Sequence, residues 1–375
     1  MKTILVFISH FIPGYKSGGP VQTISNILNL LSKDYNFLII TNDKDLLENK
    51  PYENIKVDQW TTTPNCKVYY KSNKNKRLPT IIKSANFDQY YLNSLFSFNF
   101  SIKIMLFYRM RLIPQKPILL APRGELSLGA LSIKPFKKKI FLAIVKSLNL
   151  YKNITWHASS KFESDDIKRV FGKNINIKIA LDLPNLNLPV ISKSAHKKVK
   201  GKLKILFISL ISPKKNLKFA IDVLNKVEGD FIFDIYGPIK DKKYWRKCLN
   251  AVNPNLKDKF TYKGIIPNDQ IHTIYPNYEL FFFPTLSENY GHVIYESLFY
   301  GCPVLCSGTT PWHKLDEFNA GWNIDLSKSS EFLNKISELI NYDAEQYEKF
   351  IIGCKNYITY SNNNGIIKDN LMLFE

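Results

Sequence analysis

Short apolar runs alternate with amphipathic stretches of helical length from the first residues onward. Residues 3–9 (TILVFIS) form an apolar run of strand length, residues 21–31 space their apolar side chains at helical intervals, and residues 36–41 form a second short run. That succession predicts a βαβ unit. Further strands are expected at 67–70, 89–92, 117–121 and 154–158, with a helix over 135–149 between the last two. Beyond a lysine-rich stretch the pattern restarts: a strand at 203–209, a helix at 217–227, and strands at 231–236, 259–263, 280–284 and 303–307. The fold expected is α/β, with two doubly wound domains facing across a cleft at the carboxyl ends of their strands, where such sheets bind ligands. The expected bounds are 1–190 for the first domain, 191–202 for a basic linker and 203–350 for the second domain. A helical segment over 351–375 is expected to pack back on the first domain.

Composition narrows the partners. At 45% hydrophobic and 14% aromatic residues the chain is globular, and its 375 residues suffice for two cores. A net charge of +20 calls for an anionic partner, whether nucleic acid, a phospholipid surface or a phosphate-bearing substrate. The charge is uneven: residues 101–140 hold nine Lys or Arg and one acid, Glu125, while residues 192–205 hold six Lys and no acid. Five cysteines with no CxxC pair make a poor disulfide framework or zinc site and fit a reducing compartment. Residues 1–9 are too short for a signal peptide, and nothing reaches the roughly 18 apolar residues of a membrane-spanning helix. The expected location is cytoplasmic, with peripheral contact on the inner face of the cell membrane. A helix over 102–112, with Met105, Leu106, Phe107 and Tyr108 beside Lys103, Arg109 and Arg111, is the expected contact, together with Lys137–Lys139. A solvated basic helix with a buried apolar side is the other reading of that stretch.

Chemistry concentrates in residues 280–307, LFFFPTLSENYGHVIYESLFYGCPVLCS. The stretch reads strand, loop, helix, strand, with a helix from about His292 to Tyr300 that ends at Gly301, two residues before Pro303. Amides of Tyr290, Gly291 and His292 then lie at a helix N-terminus, which suits a phosphate, and Gly291 permits close backbone approach. Glu288 precedes the helix and Glu296 lies just over one turn inside it. Carboxylates suit the paired hydroxyls of sugar and ribose. Two glutamates at this spacing also occur by chance, with Glu296 merely facing water.

This stretch, SENYGHVIYESLFYGCPV, resembles the E-x7-E signature of the retaining glycosyltransferase family 4, whose members adopt the GT-B fold of two Rossmann-like domains. The resemblance implies that Glu296 grips the nucleotide ribose, that Glu288 touches the donor sugar, and that the amides of Asn289, Tyr290, Gly291 and His292 meet sugar and diphosphate. FISLISPKKNL (207–217) is similar to the start of the family's donor domain and places Lys215 where a lysine neutralises the diphosphate. The arginine that usually accompanies it falls on Leu210 and the preceding glycine on Ser209. Either Lys214 replaces that charge or the diphosphate is held more weakly. PGYKSGGP (13–20) resembles the family's glycine-rich loop, which implies that Gly18 and Gly19 lie near the donor phosphate; a Gly-Gly pair also serves any turn. APRGELSLGAL (121–131) makes Arg123 the candidate cation near the donor sugar, although Arg123 would equally pair with Glu125 or a loop carbonyl. In WHASSKFESDDIKR (156–169) the expected role of Ser159, Ser160 and Glu163 is helix capping. TPWHKLDEFNAGW (310–322) is similar to a loop on the donor side in family members of surface-polysaccharide pathways.

The function implied is transfer of a hexose-type sugar, with retention, from a nucleotide-sugar donor to a glycan or lipid-linked acceptor in lipopolysaccharide O-antigen or capsule biosynthesis. No metal or other cofactor is expected, since the resemblance implies none. Two alternatives remain open: an epimerase or phosphorylase acting on nucleotide sugars, and a basic nucleic-acid-binding protein. The second lacks an aromatic RNA-binding signature or a recognition helix, so no nucleic-acid partner is expected.

Overall fold

The computed structural model describes residues 1–72, 77–189, 198–362 and 365–375. They form two compact units, Met1–Asn185 with Gly365–Glu375, and Leu186–Asn364. In the first unit β1 (Lys2–Phe7), β2 (Tyr35–Asn42), β3 (Trp60–Thr62), β4 (Lys67–Lys71), β5 (Gln89–Asn93), β6 (Ile118–Ala121), β7 (Thr155–Ala158) and β8 (Asn176–Ile179) make one sheet. Its order is β3-β4-β2-β1-β5-β6-β7-β8, parallel throughout except at the β3–β4 edge. Its helices are α1 (Gly19–Leu31), α2 (Leu78–Lys83), α3 (Lys103–Arg109), α4 (Leu128–Leu131), α5 (Pro135–Ser147) and α6 (Lys161–Phe171).

Central strands of a parallel sheet are covered on both faces and read as unbroken apolar runs. Successive side chains of β1 accordingly enter opposite cores. Leu5 and Phe7 join Ile104, Met105 and Val145, whereas Ile4 and Val6 join the apolar face of α1. The end of the chain completes this second core: the helix Ile366–Met372 precedes Phe374, whose ring meets those of Tyr35, Phe37 and Tyr91 at 5.3–5.9 Å.

In the second unit β9 (Lys202–Ile208), β10 (Asp230–Tyr236), β11 (Phe260–Gly264), β12 (Leu280–Phe283), β13 (Val304–Ser307) and β14 (Gly321–Ile324) form an all-parallel sheet in the order β11-β10-β9-β12-β13-β14. Helices α7 (Leu217–Leu224), α8 (Lys242–Ala251), α9 (His292–Phe299), α10 (Ser329–Asn341) and α11 (Ala344–Asn362) belong to this unit. Phe282 packs toward Phe332 of α10, and its neighbours Phe281 and Phe283 stack with each other at 5.3 Å on the opposite face. The five cysteines are free and buried, and burial pushes the thiols of Cys302 and Cys306 up to about 12.

Three expectations need correction. The linker expected over 191–202 lies largely outside the described residues, but its end is already folded. The Lys198 ammonium is buried and donates to the carbonyls of Val199 (2.8 Å) and Ile340 (3.2 Å), and Lys202 opens β9. The boundary expected at 351 falls inside α11, because Phe350, Cys354 and Tyr357 keep that helix packed on the second unit; the chain re-enters the first unit only at Gly365. The helix expected over 102–112 is shorter, Lys103–Arg109, and follows the second of its two readings, with its apolar side buried. Ile104 and Met105 are fully buried, and Leu106, Phe107 and Tyr108 pack on the same core, so α3 has no free apolar face.

Candidate functional site

Parallel pairing of β9 with β12 brings the loops after both strands to one edge of the sheet. The first loop continues into a single 3-10 turn, Pro213–Lys215, and ends on Asn216 in the left-handed region at φ 58°. Three hydrogen bonds tie it to the second loop: Leu286 N (2.8 Å) and Thr285 Oγ1 (3.0 Å) donate to the Lys214 carbonyl, and Asn216 Nδ2 donates to Pro284 O (2.9 Å). On this base the Lys215 ammonium forms an ion pair with Glu288 and lies 5.2 Å over the Phe283 ring. Both charges are mostly buried, with side-chain exposures of 19% and 11%.

Burial alone raises a carboxyl pKa. At Glu288 that effect is outweighed by the charges of Lys215 and Lys214 and by hydrogen bonds from the Lys215 ammonium and the Asn289 amide, so the group titrates below its ordinary value. Glu288 is therefore an ionised acceptor.

The second loop turns into α9 at Gly291. Its φ of 87° favours glycine, and a Cβ there would stand 3.0 Å from Cγ of Glu288 and 3.1 Å from Cδ1 of Ile294. Glu288 therefore sits over the start of α9, where the helix dipole favours an anion. The indole of Trp312 donates to the Tyr290 carbonyl, and its ring meets that of Tyr290 at 5.3 Å; the His292 ring lies 4.9 Å from Tyr290 on another side. Asn323 Nδ2 in turn donates to Trp312 O (2.8 Å) and Thr310 Oγ1 (3.1 Å). The 310–312 loop thus fixes the backbone from which α9 starts.

Glu296 lies one turn into α9. The Tyr275 hydroxyl is 3.3 Å from its carboxylate but closer, at 3.1 Å, to the Val293 carbonyl, and a hydroxyl has one proton to give. Burial, offset only by that weak donation, pushes the Glu296 carboxyl up to about 7. An under-supplied carboxylate of this kind accepts hydroxyl donors readily.

The remaining candidates lie in the first unit. Arg123 adopts φ 57° after β6 and forms a buried ion pair with Asp182; its Nη2 donates to Asn93 Oδ1 (2.8 Å) and the Tyr91 hydroxyl (2.6 Å). Tyr91 donates onward to Nδ1 of His157 (2.7 Å), and His157 Nε2 donates to Ala180 O (2.8 Å). Burial, then the nearby Arg123 charge, depresses His157 to about 4, so this imidazole is neutral. Here Arg123 is the hub of a buried network. Its expected alternative partner, Glu125, instead accepts from Ser94 Oγ and the amides of Leu95 and Phe96. Ser160 caps α6, while the Glu163 carboxylate accepts from the Ser159 amide and hydroxyl and from the Gly124 amide.

Gly18 caps α1 at φ 69°, and both it and Gly19 face open space. Their loop is held by Asp45, which accepts from the amides of Tyr15 (2.9 Å) and Lys16 (3.1 Å). Sequence reasoning did not single out Asp45, Tyr91, Asp182 or Tyr275. Asp45 carried a usable signal, an acid two residues beyond a strand-ending Asn-Asp turn, whereas the others stand in apolar or loop contexts that point nowhere.

Residues 191–356 match the family model of glycosyl transferases group 1. No curated protein sequence matches the chain significantly. Among solved structures, HepE from Anabaena in complex with UDP and glucose is similar at TM-score 0.69 and 16% identity, covering 100% of this chain and 98% of that one. Sucrose-phosphate synthase from Thermosynechococcus elongatus is similar at TM-score 0.66 and 14% identity (100% and 95% covered). A trehalose-6-phosphate protein from E. coli bound with UDP-2-fluoro glucose is similar at 0.69 and 10% (100% and 99%). The fold is thereby GT-B. Among the described residues no helix is long and apolar enough to cross a membrane.

Proposed function

We propose that the chain transfers a hexose-type sugar from a nucleotide-sugar donor to a glycan or lipid-linked acceptor, with retention, in the building of a cell-surface polysaccharide. The observation that carries this reading is the buried Lys215–Glu288 pair seated over the start of α9, one turn from the under-supplied Glu296 carboxylate. The solved neighbours with UDP or a UDP-sugar bound support the choice of donor class.

In this reading the donor diphosphate draws the Lys215 ammonium away from Glu288, with Lys214 beside it and the amides of residues 289–292 at the helix start. Glu288, ionised, then accepts from sugar hydroxyls, and Glu296 accepts from the ribose. Departure of the diphosphate leaves charge on its oxygen, and a positioned cation stabilises that charge where it develops. Double displacement would need a carboxylate nucleophile beneath the sugar. We assign none. The acceptor hydroxyl instead attacks from the leaving-group side and gives its proton to the departing phosphate oxygen. Positioning two substrates and neutralising the leaving group are then the whole task, with no metal or other cofactor assigned. Arg123 enters this scheme as a positioning residue, because its charge is matched by Asp182.

The test is a panel of nucleotide sugars screened by thermal shift, followed by product analysis with the best donor alone and with candidate acceptors. Stabilisation by a nucleotide sugar and a retained glycosidic product are expected. Release of an epimer or a sugar phosphate from donor alone, or binding of random oligonucleotides without any nucleotide sugar, would refute the reading.

A further inference from the structure

One helix of the first unit is apolar on two faces. On α5, Phe141, Leu142 and Val145 turn inward onto the core. At 100° per residue Phe136, Ile140 and Ile144 fall on the opposite side of the same helix, at i, i+4 spacing. They are 75%, 45% and 51% exposed, and Leu148, just past the helix end, is 63% exposed. A helix needs one apolar stripe to dock on its own domain. The second stripe has no partner among the described residues of the chain.

Charge identifies what would cover it. Lys137 borders the ridge on one side and Lys139 and Lys146 on the other, all exposed, and Lys134 caps the helix. From residue 89 to residue 162 the chain holds twelve Lys or Arg and a single acid, Glu125, whose carboxylate is taken up by Ser94 and two loop amides. Lys138 is occupied inside the fold, donating to Ala130 O and lying 5.4 Å over the Phe96 ring. It thereby fixes α4, with its own exposed Leu128 (71%), against α5. Large apolar side chains rimmed by lysines, with no carboxylate among them, match the acyl–headgroup boundary of an anionic bilayer: apolar residues enter the boundary and lysines meet phosphates. A protein partner would more often be met by mixed charge at the rim.

We propose that α5 is a membrane-docking helix that seats the first unit on an anionic phospholipid surface through Phe136, Ile140, Ile144 and Leu148. This inference does not depend on the donor assignment, and its failure would leave that assignment standing.

Sedimentation of the full chain with phosphatidylcholine vesicles, with and without about 30% phosphatidylglycerol, tests it. Binding to the anionic vesicles is expected, weakened by raising salt to about 0.5 M, which shortens electrostatic reach. The Ile140→Asp/Ile144→Asp variant should bind about tenfold or more weakly, since two half-exposed isoleucines lose their place in the boundary. Its melting temperature and its nucleotide-sugar shift should be unchanged, because both side chains point away from the core. Equal binding of variant and wild type, or equal binding to vesicles with and without phosphatidylglycerol, overturns the proposal. So does a wild-type dimer that the same variant converts to monomer without any vesicle binding, which would make the ridge an interface between copies.

Discussion

Glu296 offers the sharpest test of the donor site, because its environment sets both a charge state and a binding mode. In the free protein burial holds its carboxyl at about 7, with the Tyr275 hydroxyl its one donor among the described residues. Ribose hydroxyls donate to the ionised form, so donor binding requires the proton to leave. At pH 6 about one molecule in ten is then competent and at pH 8 about nine in ten, so affinity should rise roughly tenfold across that interval. A nucleotide sugar is the right probe, since its diphosphate diester has no group titrating near 7. Calorimetric titration at pH 6, 7 and 8 reads the effect. Glu296→Gln should bind about tenfold or more weakly at pH 8, the usual loss for a hydrogen bond to a charged group, with no pH dependence. The same residue acts on folding. The folded protein keeps a proton that the unfolded chain releases near 4.5, so the free protein loses about 3 kcal/mol of stability as pH rises from about 4.5 to 7. The Gln variant is spared that loss. A wild type whose donor affinity is flat from pH 6 to 8, or a Gln variant with the wild-type slope, would refute the ribose assignment.

Gly291→Ala should cost about 1 kcal/mol or more by denaturant unfolding, from the left-handed backbone, and should also weaken donor binding, because the new Cβ meets Glu288 Cγ at 3.0 Å. Arg123→Leu leaves Asp182 buried without its cation and should destabilise the protein by about 3–5 kcal/mol in urea unfolding. Arg123→Lys, which keeps the charge and loses the fork, should recover part of that. Lys214→Ala should weaken nucleotide-sugar binding several-fold in calorimetric titration, while Leu210→Arg on that background should restore it. Unaltered affinity in Lys214→Ala would leave Lys215 as the sole cation of the site.

Strands were legible wherever burial on both faces left an apolar run: β1, β2, β9, β10 and β12 fall within one or two residues of their expected bounds. The strands β3, β8 and β14 were not, because WTT, NIKI and GWNI are only three or four residues long, too short for a pattern to stand out from the flanking loops. At α3 the helix itself was legible, but two readings of its apolar side stayed open. An apolar stretch beside basic residues looks the same whether its apolar side faces a core or a surface, and only packing decides. The free apolar face lies on α5 instead, where a lysine-rich helix was expected without its second stripe.

At the site, the sequence was most informative where chemistry and backbone coincide. Glu288, Gly291 and Glu296 lie within nine residues, and the turn from β12 into α9 is a local event. The cation side is non-local, and spacing could leave open only whether Lys214 replaces the charge missing at Leu210. Geometry bears on that choice. The Lys214 carbonyl is held by Leu286 N and Thr285 Oγ1, so the residue stands on a backbone fixed to the loop that carries Glu288. Its charge is felt there, second only to that of Lys215 in lowering the Glu288 carboxyl. A cation that reaches Glu288 also reaches a diphosphate bound at the start of α9, because Glu288 already lies over that start. That favours replacement over a weakened site, and it is why the Lys214 and Leu210 variants should behave as a pair.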